Sequence, residues 1–437
     1  MPQLLRIGVS QSHTLSSLQE TLSALKEATQ RAAQKDISVL LFPEAYLGGY
    51  PRTCNFGAAV GGRTDWGRDQ FLAYTKGAVD LGDTPQGAEQ DWIDRRLPVN
   101  KETGRRGDGT REFLEDVARE TGVFIVTGLI EKAGGSLYCT AVYVDPKRGI
   151  IGKRRKVMPT ASERLVWAQG SPSTLKAVAT TIKGVRVVMG CAICWENFMP
   201  LLRYSLYSQG VNLWLAPTAD GRDTWEPLMR TIAAEGRCFV LSTNQCIKRK
   251  NLPQWITGDP KEWLASQAQS QPGAGASRPA TKPEGSLLTN GTSPDRQPGR
   301  RLSITRTEEN HSIAWRCKDT ASSGAIEEAA AEEEEAYKDT EDTGKPAKLG
   351  RSAISQPPPT QQADGEEFLS RGGACIVDPM GKTLVGPVWE HEDALLWRDV
   401  DFEDCERGHL DFDVTGHYSR PDAFHLTVEG LELVPPP

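Results

Sequence analysis

From residue 250 to residue 366 the chain turns polar and rich in Pro, Ser, Gly, Gln and charge, and strand-like sequence resumes directly after it with GGACIVDPMGKTLVGP. This interruption constrains the fold more than any other feature. Tracts such as GAGASRPATKPEG, IEEAAAEEEEA and SQPPPTQQ bury too little apolar surface to offset the entropy of ordering a chain. The closing segment, 367–437, is too short to build a core alone. The expectation is one globular domain made of residues 1–249 and 367–437, carried across a disordered insertion at 250–366 with a short helix around 326–337. A smaller polar excursion at 84–109 reads as a surface loop that could cover a site.

The folded portions alternate strand and helix signals. Residues 4–10 form a short apolar run, and Leu15, Leu18, Leu22 and Leu25 follow at helical spacing. Val39-Leu40-Leu41-Phe42 is continuously apolar and stops at Pro43, as in a strand covered on both faces. Further strands are predicted at 123–126, 137–144, 185–189, 211–215, 239–242, 374–377 and 395–400, with helices at 110–121 and 225–236. Such alternation predicts a layered α/β architecture.

Composition removes several functional classes. A net charge of −7 argues against nucleic-acid binding, which needs clustered cations. No stretch approaches the roughly 20 apolar residues of a membrane span. The N-terminus MPQLLRIGVSQSHT reads as a strand, not a secretion signal. The nine scattered cysteines are therefore expected as reduced thiols in a cytoplasmic protein.

Three segments carry candidate chemistry. Cys194, in GCAICWENFMP, follows the predicted strand at 185–189, where α/β sheets present reactive groups. A thiol there is either a nucleophile or a buried structural cysteine. The lone Cys191–Cys194 CxxC has no second ligand pair to complete a zinc site. A cysteine–histidine pair would need His417 or His425 brought in by folding. Glu44 ends the buried run in LLFPEAYLGGYPR, and partial desolvation suits such an acid to proton transfer. In GKRRKVMPTASERLVWAQG the first three basic residues, taken singly, read as a solvated surface run. Lys156 differs because Val157-Met158-Pro159 leads inward. A buried lysine needs carboxylate partners, and Glu44 and Glu163 are available.

These segments, in this order, resemble the nitrilase superfamily of carbon–nitrogen hydrolases. FPEAYLGGYPR, GKRRKVMPTASERLVW, GCAICWENFMPLLRY with LAPTADGR, and DFDVTGHYSRPDAFHLTV carry the resemblance, which looks closest to the nitrilases of fungi and plants. It implies an α-β-β-α sandwich and a Glu44–Lys156–Cys194 triad, with Glu163 as a second glutamate near the substrate. Tyr50 and the backbone N–H of Trp195 would line the substrate or stabilise developing charge. The implied reaction is hydrolysis of a nitrile to an acid and ammonia through a covalent Cys194 thioimidate. An amide-forming hydratase, an amidase, and a weakly active scaffold working through the insertion are the alternatives. The resemblance implies a homo-oligomer, dimeric or spiral, and no metal or organic cofactor. The sequence departs from the family pattern at Arg154, where relatives usually carry histidine, in the loop Trp167–Ser173, and in the insertion after Asn244-Gln245-Cys246.

Overall fold

The computed structural model describes residues 2–253, 255–256, 302–306, 312–316 and 365–437. The helix expected around 326–337 lies outside them, as does most of the stretch 250–366 read as disordered. Two compact units result, Met1–Ser270 with Ala363–Pro437, and Gln271–Gln362.

In the first unit, β1 (Leu4–Gln11), β2 (Val39–Leu41), β3 (Phe124–Ala133), β4 (Ser136–Asp145) and β5 (Gly149–Arg155) precede β6 (Val178–Ile182), β7 (Val185–Cys191), β8 (Leu213–Thr218), β9 (Phe239–Asn244) and β10 (Cys246–Lys248). The second unit contributes an antiparallel pair, β11 (Leu302–Arg306) and β12 (Ser312–Arg316), within the stretch expected to lack structure. The chain then returns to the first unit with β13 (Phe368–Val377), β14 (Thr383–Trp389) and β15 (Ala394–Asp401). One sheet has the order β15-β1-β2-β3-β4-β5, and the other β10-β13-β9-β8-β7-β6 with β14 beside β13. Strands from after the insertion thus pair with strands from before it, β15 with β1 and β13 with β9.

The helices are α1 (Leu18–Gln34), α2 (Asp65–Gly77), α3 (Glu89–Ile93), α4 (Thr110–Thr121), α5 (Pro200–Tyr207), α6 (Trp225–Gly236) and α7 (Glu403–Gly408). Both α4 and α6 coincide with their predicted ranges. Helix α1 starts after Leu15 because Ser17 and Glu20 form a capping box, the Ser17 Oγ accepting from Glu20 N at 3.2 Å and the Glu20 carboxylate from Ser17 N at 3.0 Å, which satisfies two otherwise orphaned donors.

Strand alternation builds four layers. Val39 and Leu41 face the other sheet, whereas Leu40 and Phe42 pack with Leu22, Leu25 and Leu114 of α1 and α4. In the second sheet Leu213 and Leu215 face inward, while Trp214 and Ala216 pack with Leu206 of α5 and Met229 and Ile232 of α6. The order is helix, sheet, sheet, helix, the expected α-β-β-α sandwich. Each fully buried aliphatic or aromatic side chain in these layers contributes about 1.5–3 kcal/mol. None of the described helices is long and apolar enough to cross a membrane.

The folded unit continues past residue 249. A short 3-10 turn covers Arg249–Asn251, and Leu252, Trp255 and Ile256 pack against the core between the sheets. The Trp255 ring lies 4.8 Å from that of Tyr74. A Cβ at Gly49 would meet Trp255 at 2.9 Å, so the turn Gly48–Gly49 and this segment are fitted to each other.

Strand β3 crosses directly behind the acidic turn at the end of β2. A Cβ at Gly128 would lie 2.3 Å from Pro43 O and 2.8 Å from Glu44 Cα. Gly128→Ala is therefore expected to destabilise the fold by about 2 kcal/mol and to displace Glu44. Urea unfolding monitored by tryptophan fluorescence measures the stability loss.

Candidate active site

Glu44 leaves the end of β2, Lys156 follows β5, and Cys194 opens a 3-10 turn, Cys194–Phe198, three residues beyond β7. Two come from one sheet and one from the other, so only the face-to-face packing of the sheets unites them. The Lys156 ammonium donates to Glu44 Oε1 at 2.9 Å and to Glu163 Oε2 at 2.8 Å, with Lys156 and Glu44 side chains 0% exposed. Carboxylate oxygens of Glu44 and Glu163 and the Cys194 sulfur all lie within 4.8 Å of one another. Three such atoms could ligate a cation, and the Lys156 ammonium already supplies that charge. Thr218 Oγ1 donates to Cys194 Sγ at 3.4 Å, and Cys139 Sγ donates to Glu44 Oε1 at 3.5 Å.

The backbone at the cluster is bent. Cys194 has φ 54° and Ala45, beside Glu44, has φ 50°, left-handed conformations that cost a non-glycine residue roughly 1–2 kcal/mol. Side-chain clamps hold the first of them. Asn197 Nδ2 donates to the carbonyls of Ala192 and Cys194, each at 2.7 Å, while its Oδ1 accepts from Trp214 Nε1 at 2.9 Å.

The electrostatics follow from burial and pairing. Burial raises the Glu44 carboxyl above its ordinary value, against the pull of Lys156. Burial and Glu44 push the Cys194 thiol far upward, opposed by Lys156. Burial penalises the Lys156 ammonium, yet Glu44, Cys194 and Glu163 hold its pKa well above ordinary. The site therefore holds a thiol of raised pKa beside a carboxyl of raised proton affinity, under a fixed positive charge. The thiols of Cys54, Cys191, Cys246, Cys375 and Cys405 are pushed up to about 12 by burial. Cys191 is a core residue, and the CxxC is unbonded.

Tyr50 and Trp195 flank the cluster. Tyr50 OH donates to Glu163 Oε1 at 3.0 Å, and its ring meets Trp167 edge-on at 5.5 Å. Trp167 Nε1 donates to Tyr74 OH at 2.8 Å. The Trp195 indole donates to Asp220 Oδ2 at 2.9 Å beneath the Arg222 guanidinium. Its backbone N–H lies in the first turn of the 3-10 helix, where N–H groups have no intrahelical partner. Tyr50 and Arg52, with Leu252, Pro253 and Ile256, line a narrow cavity beside the site. A cavity of about 630 Å³ lies elsewhere, between α3, β5 and residues 171–174; none of the four cluster residues lines it.

Two sequence expectations change here. The basic run before Lys156 is not a solvated surface. Lys153 pairs with Asp83 at 2.5 Å and Glu131 at 2.6 Å, Arg155 with Glu131 at 2.9 Å, and Arg154 with Glu196 at 2.7 Å, all buried. Cations within strand β5 read as surface because their acidic partners lie on distant segments. The excursion 84–109 likewise contributes buried structure: Trp92 of α3 stacks under Lys153 at 4.3 Å. As for the cysteine–histidine pair, His417 contacts Asp413 and Tyr418 in the C-terminal segment, and His425 is exposed. Thr218, Cys139 and Glu196 escaped the sequence reading. An acid in the largely apolar GCAICWENFMP was the available signal for Glu196. In the altered loop, Gly170 N donates to Lys156 O at 2.8 Å, and a Cβ there would strike Arg155 O at 2.4 Å, so this glycine seats the lysine strand.

A four-layer sandwich with a buried cysteine, glutamate and lysine gathered where its two sheets meet is the architecture of the nitrilase superfamily, hydrolases of non-peptide carbon–nitrogen bonds. The sequence profile of the carbon–nitrogen hydrolase family matches residues 6–259. A nitrilase from Bradyrhizobium diazoefficiens is 34% identical over 411 residues, 93% of this chain and 87% of that protein. An arylacetonitrilase from Trametes versicolor is 32% identical over 435 residues, 98% of this chain and 97% of that one. The carbon–nitrogen hydrolase structure from Helicobacter pylori G27 superposes with a TM-score of 0.53 at 12% identity, covering 97% of each chain. The chain belongs to the carbon–nitrogen hydrolase family.

The ion cluster behind Lys156 makes stability pH-dependent. Burial alone would raise the Glu131 carboxyl, but Lys153 and Arg155 bring it down to about 2 from 4.5. A depressed folded-state pKa stabilises above the unfolded value and loses that contribution as pH falls toward the folded one. The advantage of wild type over Glu131→Gln, on the order of 3 kcal/mol from this titration, is expected to shrink from pH 4.5 to pH 2. Paired denaturant unfolding curves across that range measure it.

Proposed function

We propose that the protein is a nitrilase, converting an organic nitrile to a carboxylic acid and ammonia. The observation that carries the reading is the Lys156 ammonium held between Glu44 and Glu163 beside the Cys194 sulfur. Further support comes from the similarity to proteins named as nitrilases.

In this reading the Cys194 sulfur adds to the nitrile carbon and its proton passes through Glu44 to the nitrile nitrogen, leaving a covalent thioimidate. Glu44 then takes a proton from water as it attacks. Lys156 and the Trp195 backbone N–H stabilise the charge developing in the tetrahedral intermediate. Carbon–nitrogen cleavage expels ammonia and leaves a thioester, and a second water releases the acid and restores the thiol. Glu163, accepting from Lys156 and Tyr50, keeps the ammonium aimed, and Tyr50 borders the substrate. No metal or organic cofactor enters this sequence of steps. The catalytic domain is formed by residues 1–249 and 367–437, extended by the packed segment through Ile256, with the remainder of 250–366 as an insertion. It works as a cytoplasmic homo-oligomer, without nucleic-acid or membrane partners.

The test is a nitrile panel with acid, amide and ammonia all quantified. Cys194→Ala is expected to abolish turnover and the covalent adduct seen by intact mass spectrometry. Glu44→Gln and Lys156→Met are expected to lower kcat by roughly 10²–10⁴-fold. Full activity of Cys194→Ala overturns the mechanism. Amide as the dominant product assigns a hydratase instead, because the first intermediate then expels sulfur rather than ammonia. Turnover of amides alone assigns an amidase, and a wild type inactive on both classes assigns a scaffold.

A further inference from the structure

Lys156 and Cys194 belong to different sheets, and the reaction proposed above needs them at a fixed separation. One carboxylate joins their backbones. Glu196 Oε1 accepts from Val157 N at 2.7 Å and Met158 N at 3.3 Å, immediately after Lys156. Glu196 Oε2 accepts from Ile193 N at 2.8 Å, immediately before Cys194. Arg154, two residues before Lys156, donates through Nη2 to Glu196 Oε1 at 2.7 Å and through Nη1 to the Cys191 carbonyl. The side chains of Arg154 and Glu196 are 1% and 0% exposed.

We propose that the buried Arg154–Glu196 pair is a positioning device that sets the Lys156 ammonium against the Cys194 sulfur. The inference rests on the nitrilase reading. Neither residue bonds to the sulfur, and their hydrogen bonds run to backbone and to each other, so they act through their neighbours and touch no reacting atom. A carboxylate is the side chain for this work because one group accepts three backbone N–H bonds and one guanidinium bond; an apolar replacement would strand those donors in the interior. The bond to Ile193 N also anchors the chain where Cys194 takes its left-handed conformation.

The test uses Arg154→Met and Arg154→Lys in the full-length protein. Arg154→Met is expected to lower kcat per active thiol by 10–1000-fold with KM changed less than threefold, and Arg154→Lys to recover at least tenfold of that loss. The distinguishing readout is the pH dependence of Cys194 alkylation by iodoacetamide, followed by mass spectrometry of its peptide. Among the described residues, the groups facing the sulfur include Glu44, Glu163, Lys156, Tyr50 and Thr218. Retreat of the ammonium is expected to move the alkylation profile to higher pH, whereas a purely structural pair would lower the melting temperature and the active fraction without moving it. Unchanged kcat per thiol and an unmoved profile overturn the proposal. Should Arg154→Met not fold, Arg154→Lys against wild type carries the same test, with a smaller shift in the same direction expected and an unmoved profile overturning it. Alkylation needs no nitrile turnover. A wild type inactive on every nitrile overturns the nitrilase reading, while an unmoved profile overturns the positioning role.

Discussion

A single ammonium, Lys156, sits between two carboxylates in the interior of the molecule, and the site is organised around what that burial demands. An isolated charge taken from water into a protein interior costs several kcal/mol even after relaxation. Glu44 at 2.9 Å and Glu163 at 2.8 Å offset that cost, but they overcompensate, leaving one cation against two carboxyls. Burial pushes both the Glu44 carboxyl and the Cys194 thiol upward, and the neighbouring carboxyls add to the shift against the pull of Lys156. A thiol that holds its proton beside a carboxyl of raised proton affinity follows from that burial and imbalance together.

Beside this core the cations of β5 are also held in pairs. The cations of β5 alternate in direction along the strand and meet acids on separate segments. Lys153 and Arg155 reach Asp83 and the β3 residue Glu131, while Arg154 reaches Glu196 in the turn that follows β7 of the second sheet. Breaking one such pair is more costly than the pair is stabilising, because the orphaned charge stays inside. The strand preceding Lys156 is therefore pinned on both faces, which limits how far the ammonium can move.

The thiols separate by surroundings rather than by exposure. All eight described cysteines are buried and unbonded. Cys191 and Cys194 lie three residues apart, yet one packs in the apolar core between the sheets and the other meets two carboxylates and an ammonium. Burial alone makes a thiol inert; burial beside a fixed cation and a proton acceptor makes one poised to react.

Much of the architecture was legible in the sequence. Helices α4 and α6 and the strand at Val39–Leu41 are recognisable because their apolar spacing reports directly on which faces are covered. Glu44, Lys156 and Cys194 could be singled out, since each stands where an apolar run meets a turn or where a charge leads inward, whereas Glu163 entered only as an available partner and through the family resemblance. Strand β5 was hidden by its three cations, because a charge on a strand reads as exposed until its partner is known, and the partners lie 22 to 70 residues away. Thr218, Cys139 and the Arg154–Glu196 bridge were missed because each acts through a partner on a distant segment. The sequence by itself determined the layered strand-and-helix pattern and the kinds of groups available for chemistry. Only the packing of two sheets face to face decided that an ammonium from one and a thiol from the other share one buried site, because that juxtaposition is set by long-range contacts that no local pattern encodes.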